Sequence, residues 1–142
     1  MEAEFDIING LNTIETHYFI IRNVPTFYSQ SAQLKGVDTS LIKNVVASRG
    51  LMRGKFQDID FDFISRVSIY AVSRKNPSNK REMYYLDFVP IGTNTELRML
   101  SSSTDLKEIM KEEWIDLEVR LNFRTFTGSN LRSKIVFGYA IL

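Results

Sequence analysis

Between Trp114 and Arg124 apolar and polar residues alternate without a break. Ile115, Leu117, Val119, Leu121 and Phe123 fall on one side, and Asp116, Glu118, Arg120, Asn122 and Arg124 on the other. Strand side chains point alternately to opposite faces, whereas a helix would scatter these apolar residues round its circumference. The pattern therefore predicts a β-strand with one dry face and one wet face. The stretch Ile59 to Ser73 repeats it, with Ile59, Phe61, Phe63, Val67, Ile69 and Ala71 at odd positions and Asp58, Asp60, Asp62, Arg66 and Ser68 at even ones. This is long for one strand, and the alternation fails at Ile64 and Ser65, which predicts a bulge or bend there. Lys75-Asn76-Pro77-Ser78-Asn79-Lys80 is turn chemistry, and Met83 to Ile91 returns as a strand, so a hairpin is expected over about 57–91.

The other elements follow from shorter signals. Ile14 to Val24, rich in β-branched and aromatic residues and closed by Pro25, predicts a strand. Residues 25–37 carry Pro25, Ser29, Gln30, Ser31 and Gly36 and predict a long loop, of the kind that binds or flexes. Asp38-Thr39-Ser40 is a helix-capping sequence, followed by Leu41, Ile42, Val45 and Val46 and stopped by Gly50; the alternative there is a strand at Val45-Val46. Gly92-Thr93-Asn94 predicts a turn and Glu96 to Leu100 a short strand. Ser101 to Thr104 precede an acidic first turn, and Leu106, Ile109 and Met110 make one stripe, so a helix of about three turns is expected over 105–113. Thr127-Gly128-Ser129-Asn130 predicts the turn of a second hairpin over about 114–142.

The last predicted strand, Lys134 to Leu142, is apolar on both faces. Ile135, Phe137, Tyr139 and Ile141 alternate with Val136, Gly138, Ala140 and Leu142. Such a strand must be covered on both sides, by its own chain or by another, which makes Ile135, Phe137, Tyr139, Ile141 and Leu142 the candidate interface. Residues 1–13 hold Glu2, Glu4 and Asp6 and no cation, and read as an acidic arm or a short edge element. Together these elements predict one domain over 1–142, mainly β (a β-rich α+β chain), as an antiparallel sandwich or barrel with one or two short helices. From residue 57 the order strand, strand, short strand, helix, strand, strand is also that of an OB-fold, an analogy of fold alone.

Composition narrows the chemistry. The chain has 142 residues, 44% of them hydrophobic, within the range of globular domains. Lys and Arg number 18 against 17 Asp and Glu, a net charge of +1 with no bulk drive towards nucleic acid or anionic membrane. There is no cysteine, which excludes disulfides, thiolate nucleophiles and Cys-based metal sites. The start, Met1-Glu2-Ala3-Glu4-Phe5-Asp6, is acidic where a signal peptide would be basic and then apolar, and no apolar run approaches the ~20 residues of a membrane helix. Cytoplasmic synthesis and no membrane partner are expected.

No motif carries a specific activity. His17, the only histidine, sits among aromatics with no nucleophile-elbow serine, and reads as structural. Asp58, Asp60 and Asp62 would share one strand face about 7 Å apart, but lack the Gly turn and distal Glu of a calcium loop, and read as a solvated acidic face. Gly50-Leu51-Met52-Arg53-Gly54-Lys55-Phe56 misses the phosphate-loop spacing and has Phe56 where Ser or Thr would hold Mg²⁺, so it reads as a basic loop. Basic residues gather near tyrosines, and Arg74, Lys75, Lys80, Arg81, Arg120 and Arg124 form the candidate nucleic-acid surface. No catalytic residue, metal or cofactor is assigned.

The expectation is thus a non-catalytic structural or assembly protein, an oligomeric subunit of a viral (phage) particle, with copies of itself or other assembly proteins as partners. The alternative is an OB-like protein that binds single-stranded nucleic acid.

Overall fold

The alternating stretch forms strand β8 (Trp114–Phe123), and Ile115, Leu117, Val119, Leu121 and Phe123 are all buried. Each contributes roughly 1.5–3 kcal/mol by leaving water. The computed structural model describes residues 1–92 and 94–142. Around β8 the described chain forms β1 (Glu2–Ile7), β2 (His17–Pro25), β3 (Val45–Ala47), β4 (Gly50–Gly54), β5 (Ile64–Val72), β6 (Lys80–Leu86), β7 (Glu96–Ser101), β9 (Leu131–Val136) and β10 (Tyr139–Ile141), with helices α1 (Tyr28–Leu34) and α2 (Lys107–Met110). The fold is mainly antiparallel β, as the hydrophobic pattern predicts.

Eight strands make one sheet in the order β1-β9-β4-β7-β6-β5-β8-β2; β3 and β10 pair separately. The sheet curls until its two edges approach. Rings of Phe5 on β1 and Phe19 on β2 meet at 5.4 Å across a seam without a strand ladder. One end of the seam is stapled by Thr127, a buried residue whose hydroxyl donates to the Ile8 carbonyl (2.7 Å) and accepts from the Leu11 amide (2.9 Å). The result is a nearly closed barrel with a core of inward residues from every wall strand. No helix among the described residues is long and apolar enough to cross a membrane.

The first predicted hairpin forms as β5 and β6, and the pairing of β5 with β8 shifts register between Ile64 and Arg66, where the bulge was expected. The second does not form. β8 pairs with β5 and β2, while β9 pairs with β1 and β4. The Thr127-Gly128-Ser129-Asn130 segment instead carries the chain over the seam, held by the 8–11 loop, because a dry strand face specifies burial and not a neighbour. The last predicted strand is two pieces. The chain turns at Phe137-Gly138, where the buried Tyr84 hydroxyl donates to the Gly138 carbonyl (2.8 Å), and β10 leaves to pair with β3.

Further expectations change. The helix expected after Asp38 is a single 3₁₀ turn, Thr39–Leu41, capped by the Asp38 carboxylate on the Ser40 amide; β-branched Val45-Val46 then enters β3. The loop at 25–37 contains α1. The helix at 105–113 is only α2, one turn long. The basic loop at 50–56 is largely β4, and Gly50 belongs there because a Cβ would lie 2.5 Å from the Tyr84 ring. Of the two readings of the acidic N-terminus, the edge element holds: Glu2–Ile7 is β1, at one edge of the sheet. Part of the expected Gly92-Thr93-Asn94 turn, Thr93, lies outside the described residues. The OB order holds for β5, β6, β7 and β8 in sequence, but β4 stands between β7 and β9 in an eight-stranded sheet.

Candidate functional site

The strands place every connection at one of two ends. Segments 26–49, 73–79, 102–113 and 137–142 cover the helical end, which carries α1, α2, β3 and β10. Segments 8–16, 55–63, 87–92 with 94–95, and 124–130 cover the loop end. Exposed large apolar side chains sort with this division. Ile8, Ile14, Phe56, Phe88, Ile91 and Phe126 stand at the loop end, Ile14 at 89% and Phe56 and Ile91 at 81% exposure. Phe27, Leu34, Leu41, Trp114 and Leu142 stand at the helical end, Leu34 at 88%. Trp114 opens β8 at that end, and among the described residues only Tyr18, Ile20 and Leu100 of this class lie further along the barrel wall.

The wall is charged, and most of its charges pair with one another. Glu4 meets Lys55 (2.6 Å) and Arg132 (3.3 Å), Asp6 meets Arg132 (3.0 Å), and Glu2 meets Lys134 (3.5 Å). The Lys55 ammonium holds the Glu4 carboxyl below its ordinary range. The acidic residues of the N-terminus are therefore neutralised by cations of neighbouring strands in their own sheet. On the opposite wall the buried Glu118 takes Lys80 (2.8 Å) and Arg120 (2.7 Å). Burial would raise the Glu118 carboxyl, yet the hydrogen bonds from Lys80 and Arg120 outweigh it and the pKa is lowered.

The helical end is built on buried polar contacts. Thr26, buried, donates its hydroxyl to the Met110 carbonyl (2.9 Å) and its amide to Glu113 (2.9 Å), tying α1 to α2. The Tyr139 hydroxyl donates to the Thr26 carbonyl (2.6 Å), tying β10 to the same corner. Phe27 is held at φ 55°, an uncommon conformation for an aromatic residue, and its ring stays half exposed. A cleft of about 230 Å³ opens between Met1, Phe27, Ser31, Lys35, Tyr139 and Ile141.

The predicted interface residues divide. Ile135 and Phe137 are buried in the barrel's own core, which corrects their assignment to an interface: β1 and β4 flank β9, and the barrel interior covers its dry face. Tyr139 and Ile141 are half-buried at the cleft, and Leu142 is exposed beside Lys43 and Asn44 at the helical end. The predicted basic residues are dispersed. Arg74, Lys75 and Arg81 lie exposed around the β5–β6 turn, and Lys80 is committed to Glu118. Arg120 is held by Glu118 and packs its guanidinium on Tyr70 (4.0 Å) and Tyr18 (5.3 Å). Arg124 donates to the main-chain carbonyls of Asp62 (2.7 Å), Ile64 (2.9 Å) and Val89, clamping the 3₁₀ turn at 61–63 to the loop after β6.

The other motifs are structural. His17 stacks on Phe123 at 5.2 Å, and its Nε2 donates to the Asn12 carbonyl. Asp58, Asp60 and Asp62 precede β5 rather than sharing a strand face; Asp60 caps the turn through the Asp62 and Asn94 amides. Among the described residues no three His, Asp or Glu side chains converge on a metal position. The apolar tips of the loop end went unnoticed in the sequence. Their signal is a lone large apolar residue in a turn-rich stretch with no periodic partner, as Phe56 between Lys55 and Gln57 or Phe126 between Thr125 and Thr127, whereas Ile14 falls before β2, outside the strand predicted from Ile14 to Val24. No family model, curated protein or solved structure matches the chain.

Proposed function

We propose that this chain is a non-catalytic structural subunit that assembles through the two ends of its barrel. The observation that carries the reading is the partition of the surface: apolar side chains are concentrated at the ends and ion pairs on the wall. Isolated exposed apolar residues are ordinary, but their grouping at the poles of a charged cylinder is the pattern of a contact surface. A wall most of whose charges are already paired, with Arg53, Arg81 and Glu82 the exceptions among the described residues, offers less to a lateral neighbour. The nucleic-acid reading has less support, since Lys80, Arg120 and Arg124 are engaged within the chain.

The test is the mass of the purified protein by light scattering over a wide concentration range. An assembly of defined mass, reduced by Leu34→Glu or Ile91→Glu with the circular dichroism unchanged, is the expected result. A strict monomer of 16.5 kDa at every concentration would overturn the reading.

A further inference from the structure

Resting on that reading, we infer that the partner is a second copy of the chain and that the contact is head to tail, the loop end of one barrel seated on the helical end of the next. The ends are alike in apolar character but opposite in charge. The segments covering the loop end hold five carboxylates (Glu15, Asp58, Asp60, Asp62 and Asp87) against two cations, a net −3. Those covering the helical end hold seven cations against five carboxylates, a net +2.

The local bonding sharpens this difference. At the loop end both cations are spent inside the molecule: Lys55 on Glu4, and Arg124 on main-chain carbonyls. Of the carboxylates, Asp87 meets Arg66 of the wall (3.4 Å) and Asp60 caps the turn at 61–63, while Glu15, Asp58 and Asp62 face no cation within ion-pair distance among the described residues. At the helical end it is the carboxylates that are spent. Asp38 caps the Ser40 amide, Asp105 accepts from the Val45 and Lys107 amides, Glu112 accepts from the Arg74 and Lys75 amides, and Glu113 accepts from the Ser29 hydroxyl. Among the described residues Lys35, Lys43, Arg74, Lys75 and Lys107 have no carboxylate within ion-pair distance, and only Lys111 has one, Glu108 at 3.7 Å.

Each end therefore presents apolar side chains with unspent charge of one sign, and the signs are complementary. Like ends repel, which disfavours a two-fold dimer through either one, while unlike ends attract and bury both apolar surfaces. A contact between two different surfaces of the same chain is heterologous and repeats, giving a ring if the rotation closes and a filament if it does not.

Two variants test the mode. Ile91→Arg with Phe126→Arg spoils the loop end, and Leu34→Glu with Leu41→Glu spoils the helical end. All four sites are exposed, so circular dichroism and the melting temperature should match the wild type. The expected result is a wild-type mass above that of a dimer, a 16.5 kDa monomer for each variant alone, and a species of twice that mass when the two are mixed. The mixture pairs the one intact loop end with the one intact helical end and can go no further. A variant that still dimerises alone, or two variants that leave the wild-type mass unchanged, would overturn the head-to-tail contact while leaving assembly itself standing. A wild-type monomer would overturn both.

Discussion

Arg124 shows how far a residue's role lies from its type. In the sequence it is a cation near tyrosines and reads as part of a basic surface. In the fold its guanidinium fork satisfies three main-chain carbonyls from two segments, a task for which its planar set of donors is suited and a lysine is not. Arg124→Ala should lower stability by roughly 2 kcal/mol in urea unfolding, because half-buried acceptors lose their donor, and Arg124→Lys should recover little of it. An unchanged midpoint would show that the clamp is replaced by water without cost. Glu118 makes the parallel case for pH. Its folded pKa lies below the ordinary 4.5, so its share of stability is present above that value and is lost as pH falls through the folded pKa. Glu118→Gln should flatten the fall of stability below about pH 4.5, read from urea midpoints across an acid series.

At the scale of elements, alternation was a reliable guide and partnership was not. β8 stands where the pattern places it and the β5–β6 hairpin forms, since burying one face of a strand needs only the period of two, but β5 starts only at Ile64, after a 3₁₀ turn at 61–63, and β6 runs from Lys80 to Leu86 rather than from Met83 to Ile91. The second hairpin failed because β8 and β9 each find other neighbours across the barrel, and nothing in either strand's own residues names them. The break between β9 and β10 has a physical origin in a distant residue, Tyr84, whose ring fills the space beside Gly50 and whose hydroxyl bonds Gly138. Met83 and Tyr84 are both fully buried next to a register shift between β5 and β6, a bulge that sequence alternation did not mark. Gly50→Ala should cost roughly 1–3 kcal/mol by forcing a methyl group onto that ring. Chemical denaturation measures it, and a wild-type midpoint would mean that Tyr84 is free to move.

On the scale of the whole molecule, the hydrophobic periodicity and the turn residues determined that the chain is antiparallel β with short helices, which residues of β8 and β5 are dry, and where β5 bulges. These are local properties, set by the alternation of side chains along one strand and by the conformational limits of Pro, Gly and Asn. Tertiary structure alone decided the order of the eight strands, the seam between β1 and β2, the burial of Ile135 and Phe137, and the engagement of Lys80, Arg120 and Arg124 within the chain. It also decided which isolated apolar residues gather at a common end, and which charges there are spent and which are free. The reason is that pairing, closure and charge neutralisation join residues far apart in sequence, and a strand's pattern records that a face must be covered without recording by what.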